Sequence, residues 1–77
     1  MPRSTLRHVG QPNTSEVEYN SNGVVVRRRF FGSDGRAMKD IDYEAHHGHP
    51  APHAHDWDWS ESPPRQPGRE LTQGEGF

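Results

Sequence analysis

The sequence predicts a small all-β fold, a three-stranded antiparallel meander with disordered N- and C-terminal segments. Three observations lead there. Short runs of strand-forming residues are separated by two tight-turn signals, Asn20-Ser21-Asn22-Gly23 and Gly32-Ser33-Asp34-Gly35, which suit hairpins because Asn and Gly tolerate positive φ. Hydrophobic residues make up only 27% of the 77 residues, against ~45–50% in an ordinary globular chain. Five of the six histidines fall between His46 and His55, in a stretch where Gly48, Pro50 and Pro52 exclude a continuous helix.

Each element follows from its residues. Residues 1–14 are polar and broken by Pro2, Gly10, Pro12 and Asn13, and read as a flexible arm. Ser15 to Tyr19 alternates polar with apolar, as a short strand does. Val24 to Phe31 is rich in β-branched and aromatic residues and is the strongest strand signal in the chain. Arg36 to Tyr43 can form the third strand. The histidine segment then reads as a loop folded back on the sheet, with His53-Ala54-His55 extended and both imidazoles on one face. Residues 60–77 carry Pro63, Pro64, Pro67, Gly68, Gly74 and Gly76 with few apolar residues, and read as a disordered tail. The expected domain is therefore residues 15–59.

A chain this small and this polar is not expected to offset the entropy of folding by hydrophobic burial alone. It contains no cysteine, which excludes disulfides and thiolate-bound zinc. A metal held by His and Asp is the internal staple that remains. His53 and His55, two residues apart in an extended segment, form a natural ligand pair. His46 can close the loop from its other end, and Asp40 can supply a fourth ligand from the third strand. His47, His49 and Asp42 are substitutes if the loop turns differently. The competing reading is an exposed histidine-rich loop with adventitious metal affinity. Structural zinc is the expected cofactor.

The net charge of −2 gives no global field for nucleic acid or membrane, and no apolar run approaches the ~18–20 residues of a membrane span. The N-terminus lacks the apolar region of a secretory signal, so the cytoplasm is the expected compartment. The charge is uneven, with Arg27, Arg28, Arg29 and Arg36 clustered ahead of an acidic second half. In a strand Arg27 and Arg29 point together and Arg28 points opposite. These arginines are candidate contact residues, weighed against a solvated face paired with Glu16, Glu18 or Asp34. Direct nucleic-acid binding through them is the less favoured contact. Trp57 and Trp59 are expected to cover the metal loop or to anchor a partner, since Trp and Arg are enriched at binding hot spots.

The run Arg28-Arg29-Phe30-Phe31-Gly32-Ser33-Asp34-Gly35-Arg36-Ala37-Met38-Lys39-Asp40-Ile41-Asp42-Tyr43, followed by His46, Pro52-His53-x-His55 and Trp57-Asp58-Trp59, resembles a small histidine-rich module of phage and prophage proteins from Gram-positive bacteria. That module occurs alone or at the C-terminus of head-morphogenesis and toxin-like proteins, and the resemblance covers residues 24–59. In size, metal cluster and phage character the chain is also similar to zinc-binding anti-CRISPR inhibitors of type II Cas9 nucleases. The doubled His46-His47 and the extra His49 depart from the pattern and leave the ligand set open. The resemblance implies a phage-encoded protein that binds zinc and inhibits a Cas9-type nuclease by protein–protein contact in the bacterial host cytoplasm, without chemistry of its own. A small metal-dependent nuclease or toxin module is the alternative, with His47 or His49 as base and Arg36 at the phosphate. A structural phage accessory protein is a third reading.

Overall fold

A computed structural model describes residues 6–44 and 51–75. Five strands form one antiparallel sheet in chain order: β1 (Ser15–Tyr19), β2 (Val25–Phe31), β3 (Ala37–Asp42), β4 (His53–Trp57) and β5 (Arg65–Glu70). The small all-β antiparallel class and the first three strands match the sequence expectation. The strand count does not: there are five strands rather than three. β4 extends the sheet through the expected His53-Ala54-His55 segment. β5 lies inside the stretch expected to be a disordered tail. Its sequence, Arg-Gln-Pro-Gly-Arg-Glu, carries no β-branched or aromatic residue, which is why pattern reading misses it. An edge strand tolerates Pro67, and Arg69 ties β5 down by donating to both Asp56 carboxylate oxygens, at 2.7 and 2.9 Å. Arg69 also binds the Glu75 carboxylate beyond the strand.

The turns are built as their residues dictate. Asn20 Oδ1 accepts from the Asn22 and Val24 amides, and Gly23 sits at φ 77°. In the second turn Gly35 has φ 81°, and a Cβ there would lie 2.7 Å from the Gly10 carbonyl oxygen. Only glycine meets both conditions. The N-terminal segment, expected as a flexible arm, runs antiparallel against this corner over its described part. The Gly10 amide donates to the Gly35 carbonyl and the Ala37 amide to the His8 carbonyl, both at 2.8 Å, and Val9 bridges Arg36.

The buried apolar set is small: Leu6, Phe31, Ala37, Ile41 and Ala54. Much of the interior is polar instead, with Arg29, Asp40, Asp42, His53 and His55 all buried. The register explains how. One row across the sheet reads Glu18, Arg27, Asp42, His53; the next reads Glu16, Arg29, Asp40, His55. The i, i+2 pairs of four successive strands therefore face one side, glutamates opposite arginines, arginines opposite aspartates and aspartates opposite histidines. Directly opposed residues of opposite charge are the sheet's favourable cross-strand pairs.

Candidate metal centre

Arg29 holds Asp40 with a bidentate pair, Nε to Oδ1 at 2.7 Å and Nη2 to Oδ2 at 2.9 Å. From β5, Arg65 Nε adds a bond to the same Oδ2 at 2.8 Å. Arg29 also donates to the carbonyls of Leu6 and Arg7. Asp42 accepts from Arg27 through Oδ1 at 2.5 Å and from Arg65 through Oδ2 at 3.2 Å. Burial pushes the carboxyls of Asp40 and Asp42 up. The hydrogen bonds and charges of Arg29 and Arg65 on Asp40, and of Arg27 with Arg65 on Asp42, outweigh it and hold both below the usual carboxylate range.

Asp42 has a second set of neighbours. Its Oδ2 stands 3.4 Å from Nε2 of His53 and 3.4 Å from Nε2 of His55. One donor atom from each of the three residues falls within 4.8 Å of the others, and all three side chains are buried. Two donors each ~2.0–2.1 Å from a tetrahedral ion stand ~3.3–3.4 Å apart, the spacing of both Asp–His edges. The ring of His55 is oriented from behind, because its Nδ1–H donates to the Gln66 carbonyl at 2.8 Å, which leaves Nε2 with the lone pair. A hydrogen bond on the far nitrogen is how metal-binding histidines are usually held. Burial pushes the His55 imidazole below its ordinary value; the Gln66 contact opposes this and the Arg65 charge adds to it. The neutral form, which ligates, is favoured. The described residues thus contain a buried Asp42–His53–His55 group that can hold a metal ion.

The expected ligands separate into three cases. His53 and His55 come together as the spacing suggests. Asp40 lies in the same buried layer, with both oxygens engaged by Arg29 and Arg65, and Asp42 is the aspartate beside the histidines. His46, with His47 and His49, lies outside the described residues. Arg65 and the Gln66 carbonyl, which shape the site, belong to a stretch read as tail. The spacing Arg27-x-Arg29, Asp40-x-Asp42, His53-x-His55 signals the shared face and puts one arginine opposite each aspartate, without choosing between the two. Arg65, which donates to both aspartates, carries no such signal.

The expected contact residues also separate. Arg29 is 3% exposed and Arg27 is tied to Asp42 and Glu18. Arg28 points to the other face, where Nη1 donates to Ser15 Oγ at 3.1 Å. Arg36, Trp59, Trp57 and Arg29 instead form a stack. The Arg36 guanidinium lies 5.3 Å over the Trp59 ring, Trp59 packs on Trp57 at 5.5 Å, and Arg29 lies 4.6 Å over Trp57. Trp59 Nε1 is fixed by the Ala37 carbonyl at 2.8 Å. Arg36 is the exposed end of this stack, its side chain 51% accessible.

No known family, curated protein or solved structure matches the chain. Among the described residues no helix is long and apolar enough to cross a membrane.

Proposed function

We propose that this chain is a zinc-binding β module in which Asp42, His53 and His55 hold the ion and thereby lock β4 to β3. The observation that carries this reading is the pair of 3.4 Å Asp42–His edges, which match tetrahedral ligation by nitrogen and oxygen donors. Imidazole and carboxylate are donors that suit zinc. The ion's role is structural: the apolar core is small, and an ion bound only by the folded chain adds its binding free energy to folding.

Its activity, in this proposal, is binding. The partner is the Cas9-type nuclease of a bacterial host that the resemblance implies, contacted through the Arg36–Trp59–Trp57 stack rather than through Arg27 and Arg29. Arginine and tryptophan are the side chains that most often anchor interfaces. The test is a pull-down with Cas9, with and without guide RNA. Retention that Arg36→Glu abolishes at unchanged zinc content supports the reading; no retention in either state overturns the partner.

One observation favours a second reading, a metal-dependent phosphodiesterase. The described residues supply three ligands, the number that catalytic zinc sites draw from protein, and His55 and Arg65 line an open depression. Plasmid nicking that requires the metal and is stopped by EDTA distinguishes it from the binding module.

A further inference from the structure

Arg28 stands apart from the other cations of the chain. Every other described arginine and lysine meets a carboxylate. Arg28 does not: its one hydrogen bond among the described residues runs from Nη1 to Ser15 Oγ. That contact draws the guanidinium across β1, toward the edge of the sheet, and leaves Nε and Nη2 without a partner. The edge itself is open. The Phe31 amide donates to the Thr14 carbonyl at 2.9 Å, and bonding alternates along an antiparallel ladder. Glu16 and Glu18 therefore turn their backbone groups to β2, and Ser15 and Val17 turn theirs outward. β1 contains no proline, whereas the opposite edge, β5, is blunted by Pro67.

Backbone hydrogen bonds from an exposed edge, and a side chain that selects the residue beside it, are the two parts of strand addition. Ser15, Val17 and Tyr19 share the Arg28 face of the sheet. A residue of an added strand opposite Val17 stands one strand spacing, ~4.8 Å, beyond it, where its side chain meets the free N–H groups of Arg28. A carboxylate there accepts charge-assisted hydrogen bonds. Two positions along, Tyr19 is 59% exposed and offers its ring to an apolar side chain. We propose that the free edge of β1 binds an extended acidic segment of a partner protein as an added strand, with a glutamate or aspartate on Arg28 and an apolar residue on Tyr19. A second copy of this chain does not supply that segment. Its β1 brings Ser15, Val17 and Tyr19 to this face, without a carboxylate, and sets the glutamates of the two strands against each other. The site is separate from the Arg36–Trp59–Trp57 stack and does not depend on a bound metal.

Amide NMR of the full chain tests it. The probe is a short synthetic peptide of alternating valine and threonine, with a central glutamate and a phenylalanine two positions on. Its twin carries glutamine in place of the glutamate. The expected result is a saturable shift of the Ser15 and Val17 amides, with slowed hydrogen exchange at both. The glutamine twin should bind about tenfold more weakly, and so should the glutamate peptide to Arg28→Gln. Arg28→Gln costs the fold its Ser15 contact, so the twin peptide reads the same interaction on the unaltered protein. Ser15 and Val17 amides that do not respond to millimolar glutamate peptide overturn the proposal. Equal affinity for the two peptides overturns it too, because the edge then reads no carboxylate. Shifts at these amides that grow with protein concentration in the absence of peptide make a second copy the occupant, and overturn it as well.

Discussion

Asp42 and His53 are directly opposed across the β3–β4 ladder, with Asp42 Oδ2 3.4 Å from His53 Nε2. The distance is longer than a normal hydrogen bond and equals the separation of two ligands on one tetrahedral ion. Two strands from one meander thus bring a carboxylate and two imidazoles to one point without a cysteine or a helix.

Ligand substitution should sort the aspartates. Asp42→Asn, His53→Ala and His55→Ala are expected to lower zinc affinity by orders of magnitude, since each removes one of the three proposed ligands among the described residues. Asp40→Asn should leave one zinc per folded chain while reducing stability. Zinc titration against a chromophoric chelator, scored per folded molecule, checks this. Equal zinc loss from Asp40→Asn and Asp42→Asn contradicts the assignment of Asp42 as the ligand.

The Arg29–Asp40 pair should behave as a buried ion pair that cannot lose one member. Both side chains are almost wholly inaccessible, at 4% and 0% exposed. Arg29→Ala is expected to cost about 3–5 kcal/mol, a large share of the total stability of a domain this size. Urea denaturation of the metal-free protein measures it. Reversing Arg27 and Arg29 to Glu therefore reports on folding, and is unsuited to mapping a contact surface.

Acid should destabilise the chain in two stages, with the sign set by the folded-state shifts. His55 is depressed, so the unfolded chain takes its proton first and stability falls as pH drops through about 6.5. Asp40 and Asp42 are also depressed. Their contribution is present above the ordinary carboxylate value of about 3.9 and is lost as pH falls below it toward their folded values. Bound zinc steepens the first stage, because protonated histidine cannot ligate. Thermal melts between about pH 8 and about pH 3, with zinc and with EDTA, should show both stages. A melting temperature independent of pH across the histidine range contradicts the first.

Arg36→Glu should leave folding intact, since surface changes of this kind usually fall within about 0.5 kcal/mol. At a genuine anchor it should cost about 2 kcal/mol or more of partner binding. Trp59→Ala should lose both, because the ring is stacked on Trp57 and its Nε1 is bonded to Ala37. Calorimetric binding together with a melting curve separates the two effects. Arg36→Glu binding like the wild type places the contact elsewhere.

The first three strands were legible because Asn20 to Gly23 and Gly32 to Gly35 are turn chemistry and Val24 to Phe31 is strand chemistry, both local properties. His53-x-His55 was legible as a pair for the same reason. β5 was hidden, because Arg65 to Glu70 has no strand propensity of its own and is held by pairing with β4 and by Arg69 on Asp56 and Glu75. The aspartate ambiguity has the same origin. Asp40 and Asp42 share a face, each opposite an arginine of β2, and the Arg65 guanidinium that joins them comes from β5, a strand with no pattern to announce it. Arg27 to Arg29 stood out as exposed charge, whereas the strand alternation hides two of the three beneath their cross-strand partners.

Zinc held by Asp42, His53 and His55 is expected to support the fold. Elemental analysis of tag-free protein after gel filtration in metal-free buffer measures the bound ion. About one zinc per chain is expected, since a site that couples binding to folding retains its ion. A zinc content near zero, from protein that is folded and melts identically with and without EDTA, would contradict it.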